Sequence, residues 1–521
     1  MNNVLSTFPS AAALALLVAL GNPARPQPAG SAAATSQFGS VNFPISCRPQ
    51  VQSKFNQAVA MLDSFQYEQS LKTFAAVAKQ DPQCAIAYWG QAMSLYHQLW
   101  DWPKPQTIQQ GRRFIEQAQK SKTQSARERA YIHAAAVYYQ DNAKLTDEAR
   151  AEAYSRAMAQ LHARYPKDSA GTAFYALSLI ALRTKDHAAE MARRRQAIAM
   201  LQKLFVAEPN NPGVAHYLIH AADTPALAPQ GLEAARRYAR IAPGSAHALH
   251  MPSHIFTDLG LWQESIASNI ASAAAARHAT TSGEYNASDH QIHAMTFLEY
   301  AYLESGQNAD ARQVIEDLKK VPGSRPADIA DLQADFNVEY ATETHNWKQA
   351  AQLATAPGMD NHEKEQLFLA RTIGAALSGD VSAARKHLQQ LNQQVAAKGA
   401  DQLVAQAWVD YAAGDSSKAL DAMSQAAALQ DDESWKDGDA AVQIPPREML
   451  AYLLMKLHQP AQALDEYRAV LKQSPNRFDA LYGAASAAQA AGDSATAHQY
   501  FAQLHKICGP QADRPELQLK L

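Results

Sequence analysis

The sequence predicts an all-α chain of stacked helix–turn–helix repeats, an α-solenoid. Three observations carry this reading. Gly260, Gly306, Gly379, Gly414 and Gly492 are each followed five residues later by a small residue: Ser265, Ala311, Ala384, Ala419 and Ala497. Nine residues after each glycine stand Asn269, Ile315, Leu388, Met423 and Phe501, apolar in all but the first. A glycine supplies the left-handed backbone that often ends a helix. The small residue lets the next helix approach closely, and the larger one fills the gap between repeats. Second, Pro209 and Pro243 each follow a helical stretch and lie 34 residues apart, the period of a stacked array. Third, alanine is abundant and β-branched residues are sparse, which favours helix over strand.

The elements follow in chain order. Ala11–Leu20 is an apolar run, AAALALLVAL. As a helix it would reach about 15 Å, half of the roughly 30 Å needed to cross a bilayer. Its length is that of a signal-peptide core, although the preceding MNNVLSTFPS has no Lys or Arg. A Pro/Ala/Ser stretch follows, so residues 1–36 read as signal peptide and linker. Export leaves a periplasmic or secreted chain with no later membrane span. An oxidising compartment permits a bridge between Cys47 and Cys84, which flank the first helical pair. Soft subdivisions near residues 206 and 345 divide the array into an N-terminal part (37–206), a histidine-rich part (207–345) and a C-terminal part (346–521). Three stretches interrupt it: the aromatic turn Trp100–Pro105, the polar insertion Arg277–Asp289 and the acidic loop Gln430–Pro446.

The segments Ile444–Asn476, with Ala463, Tyr467 and Pro475, and Arg477–Gly509, with Leu481, Ala485, Ala497 and Phe501, resemble the tetratricopeptide repeat family. Val51–Pro82, with Phe74 and Pro82, is similar, and its successor opens with Tyr88-Trp89-Gly90. The resemblance covers most of residues 50–510. It implies a right-handed superhelix with a ligand-binding concave groove. A narrower resemblance rests on Ala215–Ala221 (AHYLIHA), His250–Ile255 (HMPSHI) and Leu259–Ile266 (LGLWQESI). These look like a group of exported bacterial proteins of the same repeat type, which implies fold and export and transfers no mechanism.

The histidines stand out from this background. His216 and His220 are four apart on one helical face, and Asp223 is three further on. His250 and His254 repeat the pair 34 residues later, which places four imidazoles on equivalent sites of neighbouring helices. By the family's numbering, these first-helix positions line the concave groove. His247 and His293 fall at its rim, and His97, Tyr217 and Tyr300 are further groove residues. Pro252 starts or kinks the helix that carries His254. Three chemistries fit. Neutral imidazoles at this spacing suit a divalent transition metal, Zn, Cu, Ni or Fe, with Asp223, Asp289 or Glu299 as a carboxylate ligand. The same groups suit a polar groove that binds a protein or peptide, or a buried network fixing the stacking register. Ser265 and Asn269, polar where other repeats are Ala and apolar, need partners. A histidine ring nitrogen would make them outer supports of a metal site.

Several classes are excluded. The chain has 47 Lys and Arg against 50 Asp and Glu, a formal charge of −3, and no long basic block. That balance argues against a nucleic-acid partner. No phosphate-binding GxxxxGK[ST] loop, GxSxG elbow or HExxH helix is present. Arg193–Arg195 reads as a solvated charge run. The sequence therefore points to an exported, non-catalytic scaffold binding a protein or peptide in its groove, with a metal-binding protein or metal-dependent enzyme as the alternative.

Overall fold

The computed structural model describes residues 37–122, 124–140, 145–281, 287–394, 399–433 and 445–518. The leader and most of the acidic loop lie outside the described residues. Among the described residues there are α-helices and short 3-10 turns and no strand, and successive helices pack as antiparallel pairs stacked on their neighbours. No described helix is long and apolar enough to cross a membrane.

One turn recurs between paired helices. Gly260, Gly306, Gly379, Gly414 and Gly492 all have positive φ, and so do Phe65, His345 and His458. After each of these eight residues, the next N–H donates to the carbonyl five positions back, at 2.7–2.9 Å; Gln66 to Met61, Leu261 to Phe256 and Asn346 to Ala341 are examples. This is the Schellman closure of a helix. The small residue five positions later is buried every time: Ser70, Ser265, Ala311, Ala350, Ala384, Ala419, Ala463 and Ala497 are at most 2% exposed. The glycine pattern thus undercounts the turns. Three are made by residues for which a left-handed backbone carries a strain of about 1–2 kcal/mol.

The first apolar core runs without a break from Phe43 to Phe256, across the subdivision drawn near residue 206. Cys47 and Cys84 form a disulfide inside it. The bridge ties the segment before the first helix to the residue preceding the Ala85–Met93 helix. The third thiol, Cys508, is buried in the C-terminal core, and burial pushes its pKa up to about 12.

The last repeats fold against the middle of the array. Trp262 Nε1 donates to the Asn476 carbonyl at 2.8 Å, and Asn476 Nδ2 donates to the Gly260 carbonyl at 3.1 Å. Beside them Arg477, 2% exposed, donates to Glu304 (2.9 Å), Glu343 (2.8 Å), Glu448 (2.8 and 3.0 Å) and the Tyr300 hydroxyl (2.9 Å). Asp513 accepts from the N–H groups of Asn308 and Ala309. Tyr300 therefore belongs to this closure, stacked edge-on against Trp262, and not to a ligand groove.

Two outcomes test this packing. A thiol reagent at pH 8 should find no reactive cysteine in the native chain, one after unfolding without reductant, and three after reduction. Three thiols without reductant would mean that the bridge is absent. Replacing Arg477 with Ala strands three buried carboxylates and should cost about 3–5 kcal/mol, read as a lowered denaturation midpoint. An unchanged midpoint would show that the closure adds nothing to stability.

Candidate metal centre

Four helical segments carry the histidines. Pro212–Ala222 starts at Asn211, whose side chain accepts from the Gly213 and Val214 N–H groups, with Pro212 in the first turn where no N–H is needed. It carries His216 and His220. Ala246–His250, capped by Ser245, carries His247 and His250. Pro252–Asp258 continues it and carries His254. Met251 keeps helical dihedrals between the two, so Pro252 kinks the helix and does not start it. Ala287–Glu304 brings His290 and His293.

The imidazoles gather into two trios. In one, ligand nitrogens of His216, His220 and His247 all lie within 4.8 Å of one another; in the other, those of His250, His254 and His293 do. His216 Nε2 is 3.0 Å from His247 Nε2, and His250 Nε2 is 3.0 Å from His254 Nε2. Two nitrogens bound to one ion at 2.0–2.1 Å stand roughly 3 Å apart, so one pair in each trio already has the spacing of two ligands of one ion. The expected square of four histidines is therefore divided. His247 and His293 are trio members rather than rim residues. The reason is the short Ala246–His250 segment, which turns His247 toward His216 and leaves His250 beside His254.

Each trio is backed by a phenylalanine. The Phe65 ring is 4.3 Å from His216 and 5.6 Å from both His220 and His247, centroid to centroid. The Phe297 ring is 4.8, 4.7 and 5.4 Å from His250, His254 and His293. Phe65 is one of the strained turn residues, with φ of 55°. Strain of this kind persists where surrounding structure fixes it, and it clusters at functional sites.

Outer contacts set the tautomers. His216 Nδ1 donates to the Asp63 carbonyl at 2.6 Å, which leaves Nε2 as a bare lone pair. His250 Nδ1 donates to Asn269 Oδ1 at 2.7 Å. The Asn269 amide is oriented by its own donation to the Ser265 carbonyl at 2.9 Å. His254 Nδ1 lies 3.0 Å from Asp223 Oδ2. The lone pair left on His250 Nε2 faces His254 Nε2 at 3.0 Å, and the two form a hydrogen bond when His254 carries its proton on Nε2. His250 is neutral near pH 7 in this environment: burial and the neighbouring His293 and His254 hold it well below the usual histidine range. Burial does the same to His216, lowered to about 3, and to His220 and His247. His220 Nε2 is buried with no hydrogen-bond partner. The donor set is neutral imidazole with outer oxygens fixing its tautomers, as in metal sites.

The remaining sequence candidates fall as follows. Asp223 supports His254, while Asp289 and Glu299 belong to neither trio. Asn269 holds His250, and Ser265 orients Asn269. Tyr217 is not a groove residue: it is 1% exposed, and its hydroxyl donates to Asp63 Oδ1 at 2.9 Å. His97 stacks on Tyr67 at 4.1 Å, outside both trios. Arg194 is not on a solvated face. It is 9% exposed, paired with Glu190 at 2.9 Å, and donates to the His220 carbonyl. Sequence reasoning missed Phe65, Phe297, Asp63 and His290, which lies 5.9 Å from His247. Ser70 and Phe74, five and nine residues after Phe65, carry the turn signature and could have exposed it.

Both trios border one cavity of about 620 Å³, whose walls include Trp100, Leu182, Arg183 and Met251. No protein-family model matches the sequence, and no curated protein matches it. Among solved structures, "Human IFIT1 dimer with m7Gppp-AAAA" is similar at 12% identity and a TM-score of 0.36, over 82% of this chain and 90% of that one. "Human IFIT1 dimer with PPP-AAAA" is similar at 10% identity and the same TM-score, over 82% and 91%. Likenesses this loose bear on neither ligand nor chemistry.

Replacing Asn269 with Ala removes the acceptor of His250 Nδ1. A stranded buried donor costs about 1–3 kcal/mol, so the thermal midpoint of the metal-free protein should fall. A variant as stable as the parent would show that Asn269 does not hold this ring.

Proposed function

We propose that this chain is an exported metal-binding repeat scaffold that holds two transition-metal ions, one in each histidine trio. The convergence of three imidazoles in each trio, with His220 Nε2 buried and without a hydrogen-bond partner, carries the reading. The wholly imidazole donor set suits Zn, Cu, Ni or Fe and not Mg or Ca. Four of the six rings, His216, His247, His250 and His254, are at most 5% exposed, so a peptide lying along an open face would not reach them. That burial favours metal over the peptide groove. Export to the periplasm or outside is supported by the length of the Ala11–Leu20 run and by the Cys47–Cys84 bridge in the core.

Metal analysis of protein purified without a histidine tag should find two ions per chain. His250→Ala with His254→Ala should remove one, and His216→Ala with His247→Ala the other, with helicity by circular dichroism retained. Undiminished metal content in both double variants would sink the assignment. Asn269→Ala should weaken the second site about 10–100-fold, the usual effect of losing an outer support. Equal affinity in a competition titration would remove Asn269 from that role.

A further inference from the structure

The cavity of about 620 Å³ has a wall that neither trio supplies. Its volume falls within the range of about 300–1,000 Å³ typical of small-molecule sites. Gln98 lines it at 7% exposure, and its Oε1 is buried with no hydrogen-bond partner. Asp223 lines it as well: its Oδ2 faces His254 Nδ1, while its Oδ1 is buried with no hydrogen-bond partner. A buried acceptor left unmet is costly, and native proteins keep few of them. Two on the wall of one cavity call for a ligand that brings hydrogen-bond donors.

Trp100 gives the same wall an apolar face. It is 38% exposed, the one exposed Phe, Tyr or Trp among the described residues. Its ring stands at 86–87° to those of Phe65, Tyr67 and His247, with centroids 5.3, 5.5 and 5.3 Å away. The turn that carries it is pinned by Arg183, whose guanidinium donates to the Trp100 carbonyl at 3.2 Å and lies 4.8 Å over the Trp102 ring. The ring is therefore held in place before any ligand arrives. Charge narrows the ligand further. A cation would meet Arg183 and Arg194 on the wall, where Glu190 is already engaged by Arg194 at 2.9 Å. A simple carboxylate only accepts hydrogen bonds and would leave Gln98 and Asp223 unmet. A hydroxyl both donates and accepts, so a neutral molecule rich in hydroxyls satisfies Gln98 and Asp223 and accepts from Arg183 as well.

We infer that this cavity binds a small neutral sugar, whose hydroxyls donate to Gln98 Oε1 and Asp223 Oδ1 and whose C–H face lies on Trp100. Gln98, Trp100 and Asp223 belong to neither trio, so the inference stands apart from the metal reading. Its test is titration calorimetry on the full chain as purified, with D-glucose, D-galactose and maltose as probes and methylammonium and acetate as controls. At least one of the sugars should bind, one molecule per chain, with a change in tryptophan fluorescence. Gln98→Leu and Trp100→Ala should each weaken that binding at least tenfold while the circular dichroism of the parent is kept. Gln98→Leu removes an unmet buried acceptor, so its thermal midpoint should not fall; weaker binding in that variant is then a loss of contact and not of fold. No binding of any of the three sugars up to about 10 mM, or binding untouched by both substitutions, would overturn the sugar site. Uptake of methylammonium or acetate in place of the sugars would overturn it too.

Discussion

The left-handed helix-ending turn, paired with a small residue five positions later, is the constraint on which the rest depends. The turn reverses the chain within two residues and closes the first helix by the Schellman hydrogen bond. The small residue, buried at all eight turns, lets the second helix lie against the first. Helices brought this close present their first-helix faces side by side, and histidines on successive faces then have nowhere to go but toward one another. The site is a consequence of the repeat, placed where the repeat's inner face is polar. Phe65 shows the two levels meeting. It occupies a turn that glycine would fill without strain, and its ring backs His216, His220 and His247.

A buried histidine network without metal would satisfy its nitrogens in donor–acceptor pairs. Half of this arrangement does so: His247 Nε2 can donate to the bare Nε2 of His216, whose Nδ1 proton is fixed by the Asp63 carbonyl. The other half can do the same, His254 Nε2 donating to the Nε2 of His250, whose Nδ1 proton is held by Asn269. The nitrogen such a network leaves unmet is His220 Nε2, buried with no hydrogen-bond partner. That orphaned nitrogen, rather than the number of histidines, is what a purely structural network does not account for.

The fold was legible because repetition multiplies weak signals. Five glycines with the same companions outweigh any single helix propensity, and the residues they mark are turns and buried small positions in the structure. The three turns at Phe65, His345 and His458 were illegible as turns, since no local rule assigns positive φ to Phe or His. At the site, the i, i+4 spacing named four of the six imidazoles as one group and set His247 and His293 at the edge. Which ring faces which was hidden by the short Ala246–His250 segment and the kink at Pro252, features that a strict 34-residue register cannot express. Tyr217 and Tyr300 were misplaced for a common reason. Family position identifies a face, whereas their hydroxyls are claimed by charged groups, Asp63 and Arg477, brought from 154 and 177 residues away.

Those long-range contacts give the C-terminal repeats a role at the site they do not line. Gly260 ends the helical run that carries His254 and begins the turn to Trp262–Thr281, the helix that carries Asn269. A Cβ at Gly260 would collide with the Pro475 carbonyl oxygen, so the last repeats press directly on that turn. Trp262 and Asn476 lock it from either side, and Arg477 fixes the neighbouring helices through Glu304 and Glu343. Asn269 lies two turns along from Trp262, and its distance to His250 is set by the angle at which that helix leaves Gly260. A hydrogen bond of 2.7 Å tolerates little drift in that angle. The buried ion cluster of the last repeats thus acts as a brace for the second trio.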